Sequence, residues 1–419
     1  MLRLLTAGES HGPKLTAMID GMPAGLSIDT AFIEAELAAR QGGYGRSGRQ
    51  KIEKDKIDIT GGVRHGLTTG APVCFEIQNR DHGNWTTVMN SAAIDLSALD
   101  EAGKKQIQDK RIERFRPGHA DLAGTIKYRL KEVRDVLERS SARETAARVG
   151  AGSLAQLILR ALGVKLTAHV VAIGPVSMNS LSREEQERIE AMDLGELLLA
   201  SRDSSVYCPH EGLSEQMEAT ILQALKDGDS LGGVVRVLVD GLPPGLGSSF
   251  QWDRKLDGQL AQSLMSIQSA KAVEIGTGVE NAALPGSLVH DAMHRDESGK
   301  SPCYYVGRKT NRCGGLEGGM TNGERLILHV YFKPIPTMKK GLPSLSFPAF
   351  TDSFAHYERS DVCAIPAASV VAGAMVSLTL ANAFLDKFAA DTMVDLQESV
   401  ETYRQYVRNL TKGKVDNAP

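Results

Sequence analysis

Three observations predict an α+β fold. Strand-like and helix-like stretches follow one another in a mixed order rather than a steady β-then-α alternation. From Cys363 to Leu385 there are 23 uncharged residues, long enough to span a bilayer but diluted by Pro366, Ser369, Ser377, Thr379 and Asn382, so they read as a helix buried at the centre of the protein. The turn sequence Ile19-Asp20-Gly21-Met22-Pro23-Ala24-Gly25-Leu26 returns 220 positions later as Val239-Asp240-Gly241-Leu242-Pro243-Pro244-Gly245-Leu246. Such an echo is either good turn chemistry used twice or the trace of two related halves, about 1–210 and 211–400, within a single unit 1–419. Residues from about 408 to 419 read as a flexible tail.

In order along the chain, 2–6 and 14–19 read as strands closed by Asp20-Gly21-Met22-Pro23. A helix over 30–41 follows, with Phe32, Ile33, Leu37 and Ala38 at helical spacing, Asp29 as its N-cap and Gly42-Gly43 as its stop. Residues 42–56 are a glycine-rich basic loop, and 57–77 reads as strand, turn, strand around Gly61-Gly62 and Thr69-Gly70. Helical patterns cover 122–139, 142–162, 215–226, 255–266 and 367–390, with strands at 165–173, 234–239 and 326–333 between them.

Composition narrows the function. Hydrophobic residues are 42% and charged residues 24%, with 42 glycines in 419 residues, which excludes disorder and collagen-like order. Lysines and arginines number 48 against 51 acidic residues, a net charge of −3, so no global positive field holds a polyanion and any anionic ligand is met by local arginines. Five scattered cysteines without a C-x-x-C pair suit a reducing compartment, with the cytoplasm as default. The short apolar start before Glu9 and His11 is too brief for a signal peptide, and no membrane partner is expected.

Several turns carry chemistry. Gly8-Glu9-Ser10-His11-Gly12 sets a histidine beside a hydroxyl straight after a strand, and Arg116-Pro117-Gly118-His119-Ala120-Asp121 repeats the device; two such turns favour proton transfer near neutral pH over a structural role. Arg40, Arg46 and Arg49 are threaded through glycines, which suits phosphate or carboxylate recognition. Gly43-x-Gly45-x-x-Gly48 follows a helix rather than a strand, so it is not a dinucleotide fingerprint. Arg139-Ser140-Ser141 precedes a helix start, a natural anion cradle, although Ser141 and Glu144 also have capping-box spacing. Lys333-Pro334-Ile335-Pro336-Thr337 stiffens a strand end, and the glycine-rich 314–323 loop leaves room for a planar ligand. Cys208-Pro209-His210 is the one close Cys/His pair, so no metal site is expected, and Cys363 beside Asp361 is not a nucleophile.

Taken together, GESHG at Gly8, RQGGYGR at Arg40, RPGHAD at Arg116, RSSARETAARV at Arg139, GGLEGGMTNG at Gly314, KPIPT at Lys333 and RSDVCAIPAASVV at Arg359 resemble the chorismate synthase family, in family order over nearly the whole chain. One departure is visible: Ala372-Gly373-Ala374 stands where the family often has a Glu. The resemblance implies a β-α-β sandwich, two antiparallel sheets with helices between and around them, assembled as a homotetramer. It implies a shikimate-pathway lyase that converts 5-enolpyruvylshikimate 3-phosphate to chorismate and phosphate with reduced FMN and no net redox change.

It further implies His11, Ser10, His119 and Asp361 as catalytic residues, and Arg40, Arg46, Arg49, Arg116, Arg143 and Arg359 as partners of the substrate's three anionic groups. Arg139, Ser140, Ser141, Gln268, Ser269, Gly318, the Lys333, Pro334, Ile335, Pro336, Thr337 run and Arg359 are the implied FMN contacts. Some family members reduce their flavin with NADPH, with Arg40 and Arg46 as NADP contacts; nothing here resembles a reductase module, so a separate flavin reductase is implied. The competing classes are an FMN-dependent oxidoreductase, separable by flavin spectra before and after turnover, and a nucleic-acid binder, disfavoured by the net charge and the 5% aromatic content.

Overall fold

The computed structural model describes residues 1–46, 54–358, 360–388 and 390–413. Strand β1 (Arg3–Ala7) pairs antiparallel with β2 (Lys14–Asp20). Helix α1 (Thr30–Gln41) starts at Asp29, whose carboxylate accepts the Phe32 N–H at 2.9 Å, and buries Ile33 and Leu37. Strands β3 (Asp58–Gly61) and β4 (Val73–Gln78) complete a sheet in the order β1-β2-β4-β3. Its inner face is set by period-two patterning, with Val73, Phe75 and Ile77 buried on β4.

The helix predicted over 122–139 is two helices, Asp121–Tyr128 and α2 (Arg134–Ser140). Arg129, at φ 52°, is left-handed and ends the first. The turn it makes lets Val133 and Leu137 bury with Ile112 and Phe115 in a small second core. Helix α3 (Thr145–Ala161) then leads into β5 (Lys165–Ile173), which with β6 (Val176–Ser177), β7 (Gly233–Asp240), β8 (Ala270–Ile275) and β9 (Leu326–Phe332) forms a second antiparallel sheet, ordered β8-β9-β7-β5-β6. Helix α4 (Leu256–Met265) precedes β8. Helix α5 (Ile365–Lys387) is the long uncharged run, and α6 (Met393–Lys412) follows it. Residues 408–412, expected in a flexible tail, are the last turn of α6, tied down where Arg295 donates to the Thr411 and Lys412 carbonyls; 414–419 lie outside the described residues.

The layers are those of the expected sandwich. Helix α3 packs on the first sheet and on α5, and α5 packs on β5 and β7 of the second. Helix α5 meets a bilayer's length requirement, but most of it is buried between these partners. The α3–α5 crossing is made by missing side chains: a Cβ at Gly152 would lie 2.4 Å from the Ala374 Cβ, and one at Gly373 would meet Leu166 and Ala168 on β5 at 3.3 and 3.4 Å. The Ala372-Gly373-Ala374 departure therefore lies at the crossing. Gly152→Val is expected to force the two central helices apart and destabilise the protein by about 1–3 kcal/mol, read as a fall in the urea midpoint. An unchanged midpoint would mean the crossing is not tight.

The two sheets share one internal order, β1-β2-β4-β3 matching β5-β7-β9-β8. The echoed turns make matching bonds. Thr68 Oγ1 donates to the Pro23 carbonyl at 2.6 Å and accepts the Leu26 N–H at 2.9 Å; Thr321 Oγ1 donates to Pro243 at 2.6 Å and accepts Leu246 N–H at 2.9 Å. The division between the sheets falls between α3 and β5, so a boundary near 210 would cut through the second sheet.

Candidate functional site

The first turn positions His11. Gly8, at φ +105°, takes the chain out of β1 where a Cβ would lie 2.5 Å from the Lys14 carbonyl. Ser10 and His11 then fold back onto α2. Ser10 N–H donates to the Glu138 carbonyl at 3.0 Å. The Glu138 carboxylate takes the His11 backbone N–H and its Nδ1, each at 2.8 Å, and Arg134 Nη1 at 3.0 Å. Burial pushes the Glu138 carboxyl up, but hydrogen bonds and charge from His11 and Arg134 outweigh it, so Glu138 stays below its ordinary value and ionised. The His11 ring stacks on Trp85, centroids 3.8 Å apart, and Lys110 lies over the same indole. Ser141 Oγ donates to Ser10 Oγ at 3.2 Å, joining this turn to the start of the next helix.

Arginines line the neighbouring floor. Asp55, fully buried, takes Arg40 Nη2 at 2.6 Å and Arg143 Nη1 at 2.6 and 2.8 Å. Burial pushes the Asp55 carboxyl up, yet the two guanidinium groups hold it below the usual range; burial pulls Arg40 down to about 10. Asn79 accepts from Arg143 Nε at 2.8 Å and donates to the Gly12 carbonyl at 2.8 Å, linking the arginines to the His11 turn. Arg46 pairs with Asp361 at 2.8 Å. The loop bearing Arg46 fits because it is glycine: a Cβ at Gly43 would sit 2.6 Å from Pro366, and one at Gly45 3.2 Å from Cys363.

The second histidine is built the same way. His119 Nδ1 faces Asp121 Oδ1 at 2.5 Å, and Arg116 grips Asp121 through Nε at 2.8 Å and Nη2 at 2.9 Å. Burial again pushes the Asp121 carboxyl up and loses to hydrogen bonds from Arg116 and His119, so it sits far below the carboxylate range. Arg116 Nη1 reaches Thr337 at 3.3 Å, and Lys333 Nζ donates to the Gly118 carbonyl. A run of three bonds leads from this group to the arginine floor: Ser230 Oγ donates to the Ile335 carbonyl, and the next residue, Leu231, donates its N–H to the Val362 carbonyl. Val362 N–H in turn donates to Gly45.

The remaining implied cofactor residues lie around this frame. Gln268 donates to Glu144 at 2.7 Å, and Lys333 N–H donates to the Ser269 carbonyl at 3.0 Å. Glu144 turns to Gln268 and Arg148 rather than back to Ser141, so the capping-box expectation fails; Ser141 alone caps, accepting from Arg143 N–H. Arg139 is exposed and donates to Thr6, while Ser140 Oγ is turned back to the Val136 carbonyl. Gly318 is exposed beside Ser249, at the end of α4 opposite Gln268, and no described bond ties it to the rest. Arg49 and Arg359 lie outside the described residues. Burial pushes the Cys363 thiol up to about 12, in keeping with an inert role.

The frame has unsatisfied groups suited to a ligand. Arg40 Nε and Arg46 Nε are buried donors without an acceptor, and Gln268 Oε1 and Glu144 Oε2 are buried acceptors without a donor. The first pair can donate to an anion, and the second can accept from an N–H donor. Sequence reasoning missed Asp55, Asn79, Trp85 and Glu138, distant in sequence from the arginines and the histidine they hold, and Arg134, one helical turn before the Glu138 it grips; Asp121 lay inside a quoted motif. Asp291, Cys313 and Glu317 also bring donor atoms within 4.8 Å of one another. However, Arg308 clamps Glu317, and the Cys313 thiol is pushed up to about 12 by burial and by Asp291.

The chain resembles known proteins along its whole length. The chorismate synthase family model matches residues 2–385. Chorismate synthase of Desulforudis audaxviator (strain MP104C) is 48% identical over 409 residues, 97% of this chain and 98% of its own. That of Symbiobacterium thermophilum (strain DSM 24528 / JCM 14929 / IAM 14863 / T) is 47% identical over 411 residues, 98% of this chain and 100% of its own. A crystal structure of chorismate synthase superposes with a TM-score of 0.76 at 36% identity, covering 97% of this chain and 98% of the other. On sequence and on fold alike, the chain belongs to the chorismate synthase family.

Proposed function

We propose that this frame removes phosphate from 5-enolpyruvylshikimate 3-phosphate by 1,4-anti elimination, with FMN held in its reduced form. As a family member the chain is a carbon–oxygen lyase acting on a small phosphorylated substrate, in the shikimate pathway of aromatic amino acid biosynthesis. The observation that carries the reading is the pair of histidines, each backed by an ionised buried carboxylate that an arginine also grips.

The residue chemistry follows from the substrate. Its ring carboxylate, enolpyruvyl carboxylate and phosphate need fixed guanidinium partners. Arg40 and Arg46 keep buried N–H groups for that purpose, whereas Arg116 spends its fork on Asp121 and serves to hold His119. The C–H bond to be broken is not acidic, and reduced flavin supplies the electron density that its cleavage needs. Asp361 takes the proton from carbon, the C–O electron pair leaves with the phosphate, and His11 gives the phosphate one proton with Ser10 assisting. One proton and one electron pair balance, so the reaction has no net redox change. His119 holds the proton of the reduced ring.

FMN is contacted by Arg139, Ser140, Ser141, Gln268, Ser269 and the 333–337 run, with Gly318 and Arg359 as further contacts. A separate flavin reductase supplies the electrons, the enzyme works in the cytoplasm as a homotetramer, and the recurring turns and sheet order support two related halves. The test is anaerobic: protein, substrate and chemically reduced FMN, following phosphate and chorismate, with oxidised FMN as control. Phosphate release with reduced flavin alone, the flavin still reduced at the end, is expected. Flavin oxidised in step with turnover would make the protein an oxidoreductase instead. His119→Ala and Asp361→Asn should each lower kcat by about 100-fold or more; a folded variant with wild-type turnover removes that residue from the mechanism.

A further inference from the structure

We infer that Glu138 is the positioning residue for His11: it selects the Nδ1–H tautomer, which makes Nε2 the ring nitrogen that gives and takes the mobile proton, and Trp85 fixes the plane of the ring. The inference rests on the proposed elimination. An ionised carboxylate only accepts, so a Glu138 oxygen 2.8 Å from Nδ1 requires the hydrogen on that nitrogen. Glu138 is 2% exposed and held from three sides, by the His11 backbone N–H, by Nδ1 and by Arg134. It therefore cannot turn away without leaving a buried charge unpaired. Stacking on Trp85 at 3.8 Å and 23° removes the ring's remaining freedom. Among the described residues, the other charged or titratable groups around the pair include Arg134 and Lys110, both over the Trp85 ring, Glu358, which pairs with Arg134, Asp135, whose charge couples to Glu138, and His82, whose Nδ1 contacts the His11 carbonyl at 3.0 Å. Glu138 thus also balances the imidazolium between proton deliveries, the part a carboxylate plays behind other catalytic histidines.

The test compares E138Q, E138D and H11A as the full-length enzyme with reduced FMN. In E138Q, kcat should fall about 100-fold with substrate KM within about threefold. The basic limb of its pH–rate profile should move to lower pH, because the charge that favours the protonated ring is gone. E138D, which keeps the charge, should restore the position of the limb. An inactive H11A with an E138Q whose limb has not moved would overturn the role of Glu138 and leave the elimination reading intact. An H11A that turns over like the wild type would overturn both His11's role and this inference. Nitrogen NMR of histidine-labelled wild-type protein, titrated upwards until the His11 ring has lost a proton, decides the matter even if E138Q fails to fold: the remaining hydrogen is expected on Nδ1, and one found on Nε2 would sink the proposal.

Discussion

Asp55→Asn is expected to lower the unfolding free energy by about 3–5 kcal/mol, the cost of breaking a buried ion pair from one side. Asp55 is the carboxylate between Arg40 and Arg143, its side chain fully buried, with bonds of 2.6 to 2.8 Å to both. The asparagine amide fills the space but leaves two buried cations facing each other. Arg40, already drawn down to about 10 by burial and by its cationic neighbours, loses the group that offsets them. Binding should suffer too, since Arg40 then has no fixed direction. Equilibrium urea unfolding measures the loss. Inorganic phosphate should return part of it, because an anion that binds only the folded state stabilises by mass action. Equal midpoints for wild type and variant would show that the triad contributes no net stability; a loss unaffected by phosphate would show that the arginines do not form an anion site.

The outer face of the second sheet should make the protein acid-sensitive. His169, Arg236, His329 and Glu274 lie side by side across four strands, paired in register. His169 is fully buried with neither ring nitrogen bonded, and burial, then Arg236 and His329, hold it well below its ordinary value. Burial, then Arg236, lowers His329 to about 4; Arg236 Nε donates to its Nε2 at 2.8 Å, a bond that only the neutral ring accepts. Glu190 pairs with Arg236 at 3.5 Å; Glu274, 3.8 Å from His329 Nδ1, favours the charged ring but also takes the Tyr331 hydroxyl, and burial and Arg236 outweigh it. Both histidines must stay neutral in the folded state but take a proton freely once unfolded.

The folded protein therefore binds fewer protons, and stability is complete above about pH 6.5 and is lost as pH falls towards about 4. For His329 the difference between 6.5 and about 4 amounts to about 3 kcal/mol at the acid end, and His169 adds a loss of the same sign. H329Q, which can still accept from Arg236, should lose about 3 kcal/mol less than wild type between pH 7 and pH 4 in urea titrations. Parallel losses in the two proteins would remove His329 from the acid response.

Local rules account for the elements that the sequence makes legible. Asp29 and the Ile33 to Leu37 spacing give α1 with its bounds as expected, and the strand at Lys165–Ile173 also falls where it was read. The break in 122–139 was not legible, because Arg129 takes a left-handed φ for the sake of Val133 and Leu137, whose partners Ile112 and Phe115 lie earlier in the chain. Strand β8 was missed since its residues are mostly half-exposed and it exists through pairing with β9. Helix α6, with Leu396, Val400 and Val407 buried against a polar face, carried a helical signal that was left unread, and only its last turn fell within the expected tail.

The site divides along the same line. By its own residues the sequence determined which groups carry the chemistry: His11, Arg46, Arg116 and His119 stand in turns and loops where glycine and proline interrupt regular structure, and Arg40 stands in the last turn of α1, just before Gly42 ends it. Apart from Asp121, two residues beyond His119, only the tertiary structure decided what each is paired with. Glu138 reaches His11 across 127 positions, Arg143 reaches Asp55 across 88, and Arg116 reaches Thr337 across 221. A charge can be buried only beside its counter-charge, and which counter-charge is near is a property of the packed layers, not of any segment read alone.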